Sequence, residues 1–153
     1  MKPVKQRFKH DPANGVYGDC HRAAIASIFE LELDDVPHFG DGYPPAEEFW
    51  CRVYAFTETL GFTAISIPFV GDGGIDGVQA TLKISAPNVY YLFGGTSKTG
   101  VGHTVVGCGG EIVHDPSQVN SGIVGPMEDG LYWVTFFVPK DLPRAIVAMR
   151  SAA

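Results

Sequence analysis

Three residues of this chain, Cys20, His103 and Asp115, have side chains that together could perform nucleophilic catalysis. In such a site a cysteine thiolate attacks the substrate and a histidine holds the proton taken from the thiol. A carboxylate orients the imidazole and stabilises its charged form. The three residues lie far apart in sequence, so the chain must supply a helix and strands that bring them together.

Cys20 lies at the start of the first predicted helix. Small and apolar residues follow it, and Ala24, Ile28 and Leu31 recur at a spacing that places them on one helical face. Asp19 is predicted to cap this helix, because its carboxylate can accept the free amide hydrogens of the first turn. The partial positive charge at a helix start stabilises a thiolate. A half-buried cysteine that only packs is the alternative interpretation of this stretch alone.

His103 and Asp115 lie on a predicted β-hairpin. The strand Gly102–Cys108 is followed by a glycine pair and then by the strand Glu111–Pro116. If the turn has three residues, 108 to 110, His103 lies opposite Asp115 and both side chains share one face. With a two-residue turn the pairing slips by one and the two side chains point to opposite faces. The glycines suit the three-residue turn, but the sequence leaves both open.

His114 is the second histidine near this predicted site. Side chains alternate across a strand, so His114 is predicted to face away from Asp115, either packed or exposed. His103 is therefore interpreted as the histidine that Asp115 orients.

The rest of the chain supplies further helices, strands and loops. The patterns predict, in order, helix Pro45–Leu60, strand Phe62–Phe69, a short helix Gly77–Ile84, and strands Asn88–Phe93 and Leu131–Val138. Gly94–Gly102 and Pro116–Gly130 are predicted loops beside the site. Residues 1–17 are predicted to form an extended arm, and residues 140–153 a tail with a short helix from Pro143.

Length and composition limit the class of protein. A chain of 153 residues with 45% hydrophobic residues predicts one globular domain, residues 1–153. The net charge of −6 and the lack of a Lys/Arg run disfavour nucleic-acid binding. No apolar stretch reaches membrane-spanning length. Three cysteines without a CxxC pair disfavour a disulfide framework, so a reduced, cytoplasmic protein is expected.

The order of these motifs resembles the papain-like cysteine peptidases. The resemblance is to the bacteriocin-leader-peptidase-like (double-glycine peptidase-like) group, with its small phage and bacterial members. It is carried by residues 18–20 opening an Ala/Ile-rich helix, by residues 102–107 and by residues 113–116, and it extends from Gly18 to Val138. It implies an α+β, papain-like fold in which the N-terminal, cysteine-bearing helix packs on a mostly antiparallel β-sheet.

The resemblance also implies a catalytic triad of Cys20, His103 and Asp115. In that family a glutamine shortly before the cysteine helps to build the oxyanion hole. Here the residue six before is Asn14, and the nearest glutamine is Gln6, fourteen before. Gln6 is favoured, because its side chain is longer and Asn14 precedes glycine in a strong turn signal. The backbone amide of Cys20 can supply the second donor.

The function expected from these residues is cleavage of an amide, peptide or isopeptide bond through an acyl-thioester. The partner would be a peptide or protein substrate, and no cofactor is expected. An acyltransferase with the same triad and a catalytically silent module that sequesters a host factor are the alternatives. A metal site built from Cys20, His103 and either His114 or Asp115 is a weaker one, since zinc-motif spacing is absent.

Overall fold

The structure, a computed structural model, describes residues 1–141 and has an α+β fold. Its elements in chain order are α1 Cys20–Phe29, α2 Ala46–Thr59, β1 Phe62–Val70, α3 Gly74–Ser85, β2 Tyr90–Thr96, β3 Gly102–Cys108, β4 Glu111–His114 and β5 Leu131–Pro139. Each predicted helix and strand up to residue 139 is present, most of them with shifted ends, which confirms the α+β class. The helix predicted from Pro143 lies outside the described residues.

The five strands form one antiparallel sheet in the order β1-β5-β2-β3-β4. The cysteine-bearing helix α1 packs on β2 and β3, near the centre of this sheet. Within residues 1–141, no helix combines the length and apolar character that crossing a membrane requires.

Alternation along the strands divides the core between the two sheet faces. On one face Leu92 and Val106 pack against Ile25 of α1 and Val53 of α2. On the other, the residues next to them in sequence join a second cluster with α3, which contains Val78, Leu82, Tyr91, Phe93, Val105, Ile123, Tyr132 and Val134. The helices α1 and α2 thus cover one face and α3 covers the other.

Of the two turns that the sequence left open, the hairpin that carries His103 has the two-residue turn and not the three-residue turn that the glycines suit. Cys108 pairs with Glu111, and both intervening glycines have positive φ. A β-bulge then inserts Val113 as an extra residue, because Gly107 pairs with Ile112 while Val106 pairs with His114. The extra residue shifts the pairing by a second residue, and a shift of two residues restores the original face. Asp115 therefore returns to the face of His103 by a different route from the one predicted.

The predicted loop Gly94–Gly102 begins later than expected, because β2 continues to Thr96. Gly95 pairs with His103, and a Cβ at this glycine would lie only 2.5 Å from Ile123 Cγ2 and 2.6 Å from Gly125 O. The glycine therefore serves close packing inside the strand rather than a loop conformation.

Candidate active site

A cavity of about 740 Å³ brings together three of the four predicted site residues, and the fourth, Asp115, contacts one of them. Cys20 and His103 line it from α1 and β3, and Gln6 lines it from the N-terminal arm. Cavities of this size lie within the range of ligand-binding sites. The residues come from three separate parts of the sequence, so the site depends on the tertiary fold.

Asp115 is held by three hydrogen bonds. Its Oδ1 lies 2.7 Å from His103 Nε2 and accepts the Ser117 amide at 2.8 Å, while Oδ2 accepts the Gly122 amide at 2.7 Å. Burial acts to raise the pKa of Asp115, but the hydrogen bonds from His103, Gly122 and Ser117 outweigh it and lower that pKa. The carboxylate is therefore charged and fixed in position beside the imidazole.

His103 is oriented by this carboxylate. Because an ionised carboxylate only accepts hydrogen bonds, Nε2 carries the proton that faces Asp115, and Nδ1 is left for the cysteine. The residue is 5% exposed. Burial acts to lower its pKa, but interactions with Cys20 and Asp115 outweigh burial and raise it. The imidazole is thus placed to take a proton and to be stabilised once charged.

Asp19 does not cap α1 through its side chain, which corrects the sequence prediction. Its backbone carbonyl accepts the Ala23 amide, but its carboxylate turns away from the helix and accepts the amides of Arg7 and Phe8 instead. Arg22, one turn further along α1, reaches the other carboxylate oxygen at 3.5 Å. The first-turn amides of α1, including that of Cys20, are left without a capping side chain and can face an anion.

Gln6 lies in the cavity wall, whereas Asn14 does not line the cavity. Asn14 ends a short 3-10 turn and bonds to Asp11, as its turn signal suggested. Gln6 is 8% exposed and donates from Nε2 to the Phe8 carbonyl at 2.9 Å, while its Oε1 has no partner among the described residues. An amide nitrogen carries two hydrogens, so one remains for an oxyanion.

His21 also lines the cavity, directly after Cys20, and the sequence reasoning gave it no role. Its Nδ1 lies 3.2 Å from Thr104 Oγ1, and its ring meets Phe49 and Trp50 edge-to-face at 5.3 Å. Burial lowers the pKa of His21 to about 4, so the ring stays neutral. Within residues 1–141 no carboxylate hydrogen-bonds to this ring. The aromatic residues of α2 that enclose the ring recur at helical spacing, which in sequence is typical of a core-facing helix and does not indicate a cavity.

His114 bonds to the arm and not to Asp115. Its Nε2 lies 2.8 Å from the Val4 carbonyl, as expected for a side chain that turns away from Asp115. Among residues 1–141 no three His, Cys, Asp or Glu side chains group as metal ligands. The alternative that combined Cys20 and His103 with His114 therefore gains no support from the geometry.

All three cysteines are free thiols with different exposure. Cys51 is exposed, whereas Cys20 and Cys108 are half-buried, and only Cys20 lines the cavity.

Comparison of the chain with protein-family models, with curated proteins and with solved structures found no match.

Proposed function

We propose that this protein is a cysteine hydrolase that cleaves an amide, peptide or isopeptide bond. The observation that carries the proposal is the position of His103. Its Nε2 is bonded to a fixed carboxylate, while Cys20 lies in the same cavity and interacts with the ring. A thiol, an imidazole and an orienting carboxylate in this order are the parts that nucleophilic catalysis requires.

In the first half of the reaction His103 Nδ1 takes the proton from the Cys20 thiol. The sulfur attacks the substrate carbonyl carbon, and the carbonyl π electrons move to the oxygen. The resulting oxyanion accepts hydrogen bonds from the Cys20 amide and from Gln6 Nε2. When the oxyanion collapses, the carbon–nitrogen bond breaks and the amine leaves with the proton from His103. An acyl-thioester remains on Cys20.

In the second half water attacks the thioester carbonyl and gives a proton to His103. A second oxyanion forms and collapses, the carbon–sulfur bond breaks, and the acid leaves. The proton on His103 returns to the sulfur, so the enzyme is restored. An added amine or alcohol in place of water gives acyl transfer by the same steps. Products formed with and without added nucleophiles therefore distinguish a hydrolase from an acyltransferase.

The proposal includes a papain-like fold for the chain. It is supported by a helix that starts with the cysteine and packs on an antiparallel sheet, by the histidine on a sheet strand and by the aspartate directly after the next strand. The order Cys, His, Asp along the chain is the order that the resemblance implies.

The direct test is turnover by the wild-type protein and by Cys20→Ala on a panel of peptide, isopeptide and peptidoglycan-fragment substrates. The expected result is cleavage that depends on Cys20. Cys51→Ala is the matched control and should leave turnover unchanged, because Cys51 lies outside the cavity. A biological effect that survives Cys20→Ala would contradict the proposal and favour a binding module.

The charge of the cavity predicts which members of the panel react best. No Asp or Glu lies among the described residues that line it, whereas Lys9 and His10 do, beside the aromatic rings of Tyr17, Phe49 and Trp50. Substrates with aromatic or acidic side chains next to the cleaved bond should therefore react faster than matched Lys or Arg substrates. Faster cleavage after basic residues would show that a different surface selects the substrate.

A further inference from the structure

The first observation concerns the residue before the nucleophile. Asp19 is 2% exposed, and a buried carboxylate requires partners that compensate for its lost hydration. Its Oδ1 accepts two backbone amides, Arg7 at 2.9 Å and Phe8 at 2.7 Å, and its Oδ2 faces Arg22. Two of these three partners are in the N-terminal arm, and none of the three is a backbone amide of the first turn of α1.

The second observation concerns the chain between the arm and the helix. The Asp19 amide donates a hydrogen bond to the Phe8 carbonyl at 3.2 Å. The two residues are therefore in contact, although Lys9–Gly18 separates them in sequence. This ten-residue segment loops out and turns through a short 3-10 helix. The closed loop explains how Gln6, fourteen residues before Cys20, still reaches the cavity beside it.

The third observation is that the same backbone holds Gln6. Gln6 Nε2 donates to the Phe8 carbonyl, which is also the acceptor for Asp19. The opposite amide orientation would place two carbonyl oxygens against each other, so this bond fixes the direction of the side chain. Gln6 Oε1 is buried and has no hydrogen-bond partner among the described residues.

We propose that Asp19 is a positioning residue that fixes residues 7 and 8 of the arm and thereby holds Gln6 as an oxyanion donor beside Cys20. The inference rests on the proposed hydrolase function. A carboxylate at this position thus stabilises the transition state through Gln6 without touching the substrate. Its loss should affect the steps that form an oxyanion and leave the thiolate and its histidine in place.

Two reactions of the same cysteine separate these effects. Iodoacetamide alkylates Cys20 by displacement at a saturated carbon, so no oxyanion forms. p-Nitrophenyl acetate acylates Cys20 through a tetrahedral oxyanion and releases p-nitrophenolate. The readout is the ratio of the acylation rate to the alkylation rate, measured on folded protein. A structural role for Asp19 would lower both rates together and leave the ratio unchanged.

The expected result for Asp19→Asn is a fall in this ratio of at least about tenfold, and Gln6→Ala should lower it by a similar factor. The double variant should lose no more than either single variant, because both act on one donor. Asp35→Asn is the matched control, since it removes an exposed carboxylate that makes none of these contacts. If Asp19→Asn does not fold, Phe8→Pro removes one of the two amide donors from the arm side and should lower the ratio in the same direction.

An unchanged ratio in the folded variant, or losses that multiply in the double variant, would overturn the inference. If wild-type Cys20 alkylates and acylates faster than Cys51 but Asp19→Asn retains the ratio, only this inference fails. If wild-type Cys20 shows neither reaction above the level of Cys51, the proposed function fails and the inference falls with it.

Discussion

Three histidines line the cavity, and two of them, His103 on β3 and His21 on α1, have surroundings that give them opposite chemistry. His103 lies against the Asp115 carboxylate, which helps to raise its pKa. His21 is next to the nucleophile in sequence, but aromatic rings enclose it and burial lowers its pKa to about 4. Proximity to a cysteine therefore does not identify the base. The base is identified by the group that is hydrogen-bonded to the other ring nitrogen, which for His103 is the Asp115 carboxylate.

The largest expected difference between the two histidines is in turnover. His103→Ala removes the only proton acceptor proposed for the thiol and should lower kcat by about 10³-fold or more. His21→Phe keeps the ring packing and should leave kcat within a few-fold of wild type. The measurement is kcat on a substrate identified from the panel. A loss in His21→Phe as large as that in His103→Ala would reverse the assignment.

His114→Ala is the matched control for a histidine near the triad but outside it. Its ring is hydrogen-bonded to the Val4 carbonyl of the arm, so its loss should lower the free energy of unfolding. Turnover by the folded variant should stay close to that of wild type. If His114→Ala abolished turnover while His103→Ala spared it, the assignment of the base would be wrong.

Asp115, whose carboxylate lies beside His103, is expected to affect both kcat and its pH dependence. Asp115→Asn keeps the shape but loses the charge that helps to raise the pKa of His103, and kcat should fall by roughly 10²-fold. Imidazolium is lost as pH rises through the pKa of His103, so a lower pKa shifts the alkaline limb of the pH–rate profile to lower pH. Profiles of kcat for both proteins test this sign. An unshifted limb would show that Asp115 only packs.

The effect expected from His21 concerns stability rather than turnover. Its folded-state pKa of about 4 lies below the unfolded value near 6.5, so the unfolded chain binds the proton first. The contribution of the neutral ring is complete above pH 6.5 and is lost as pH falls towards 4. The loss amounts to about 3 kcal/mol.

Denaturant unfolding of wild type and His21→Phe at pH 7.5, 5.5 and 4.5 measures this contribution. The stability of wild type should fall more steeply than that of the variant over this range, and the difference isolates His21 from the carboxylates. Parallel curves would show that the His21 ring is accessible to protons in the folded state.

The sequence was sufficient to predict the helices and strands, but it did not predict the register in which β3 pairs with β4. Hydrophobic spacing predicted α1, α2 and the strands because each pattern is local. The shared face of His103 and Asp115 depends on the bulge at Val113, which no residue type in the hairpin demands. The shorter turn and the extra residue each shift the pairing by one residue in the same direction, so His114 pairs with Val106 instead of Thr104 and only the face of Asp115 agrees with the prediction.

The role of Asp19 was missed because a capping residue is a local prediction and its actual partners are not local. The residues that compete for its carboxylate lie eleven and twelve residues away, in the arm. Gln6 was favoured over Asn14 for its reach and its freedom from a turn, and the closed loop Lys9–Gly18 is the reason that it lies near Cys20.

The central claim is that His103 activates Cys20, and the rate of alkylation at each cysteine tests it most directly. Wild type and His103→Ala are treated with limiting iodoacetamide at neutral pH, and the adducts on Cys20, Cys51 and Cys108 are quantified by mass spectrometry. The account predicts that half-buried Cys20 reacts at least about tenfold faster than exposed Cys51, and that His103→Ala removes this advantage. Equal rates at Cys20 and Cys51 in wild type, or an advantage that persists without His103, would contradict it.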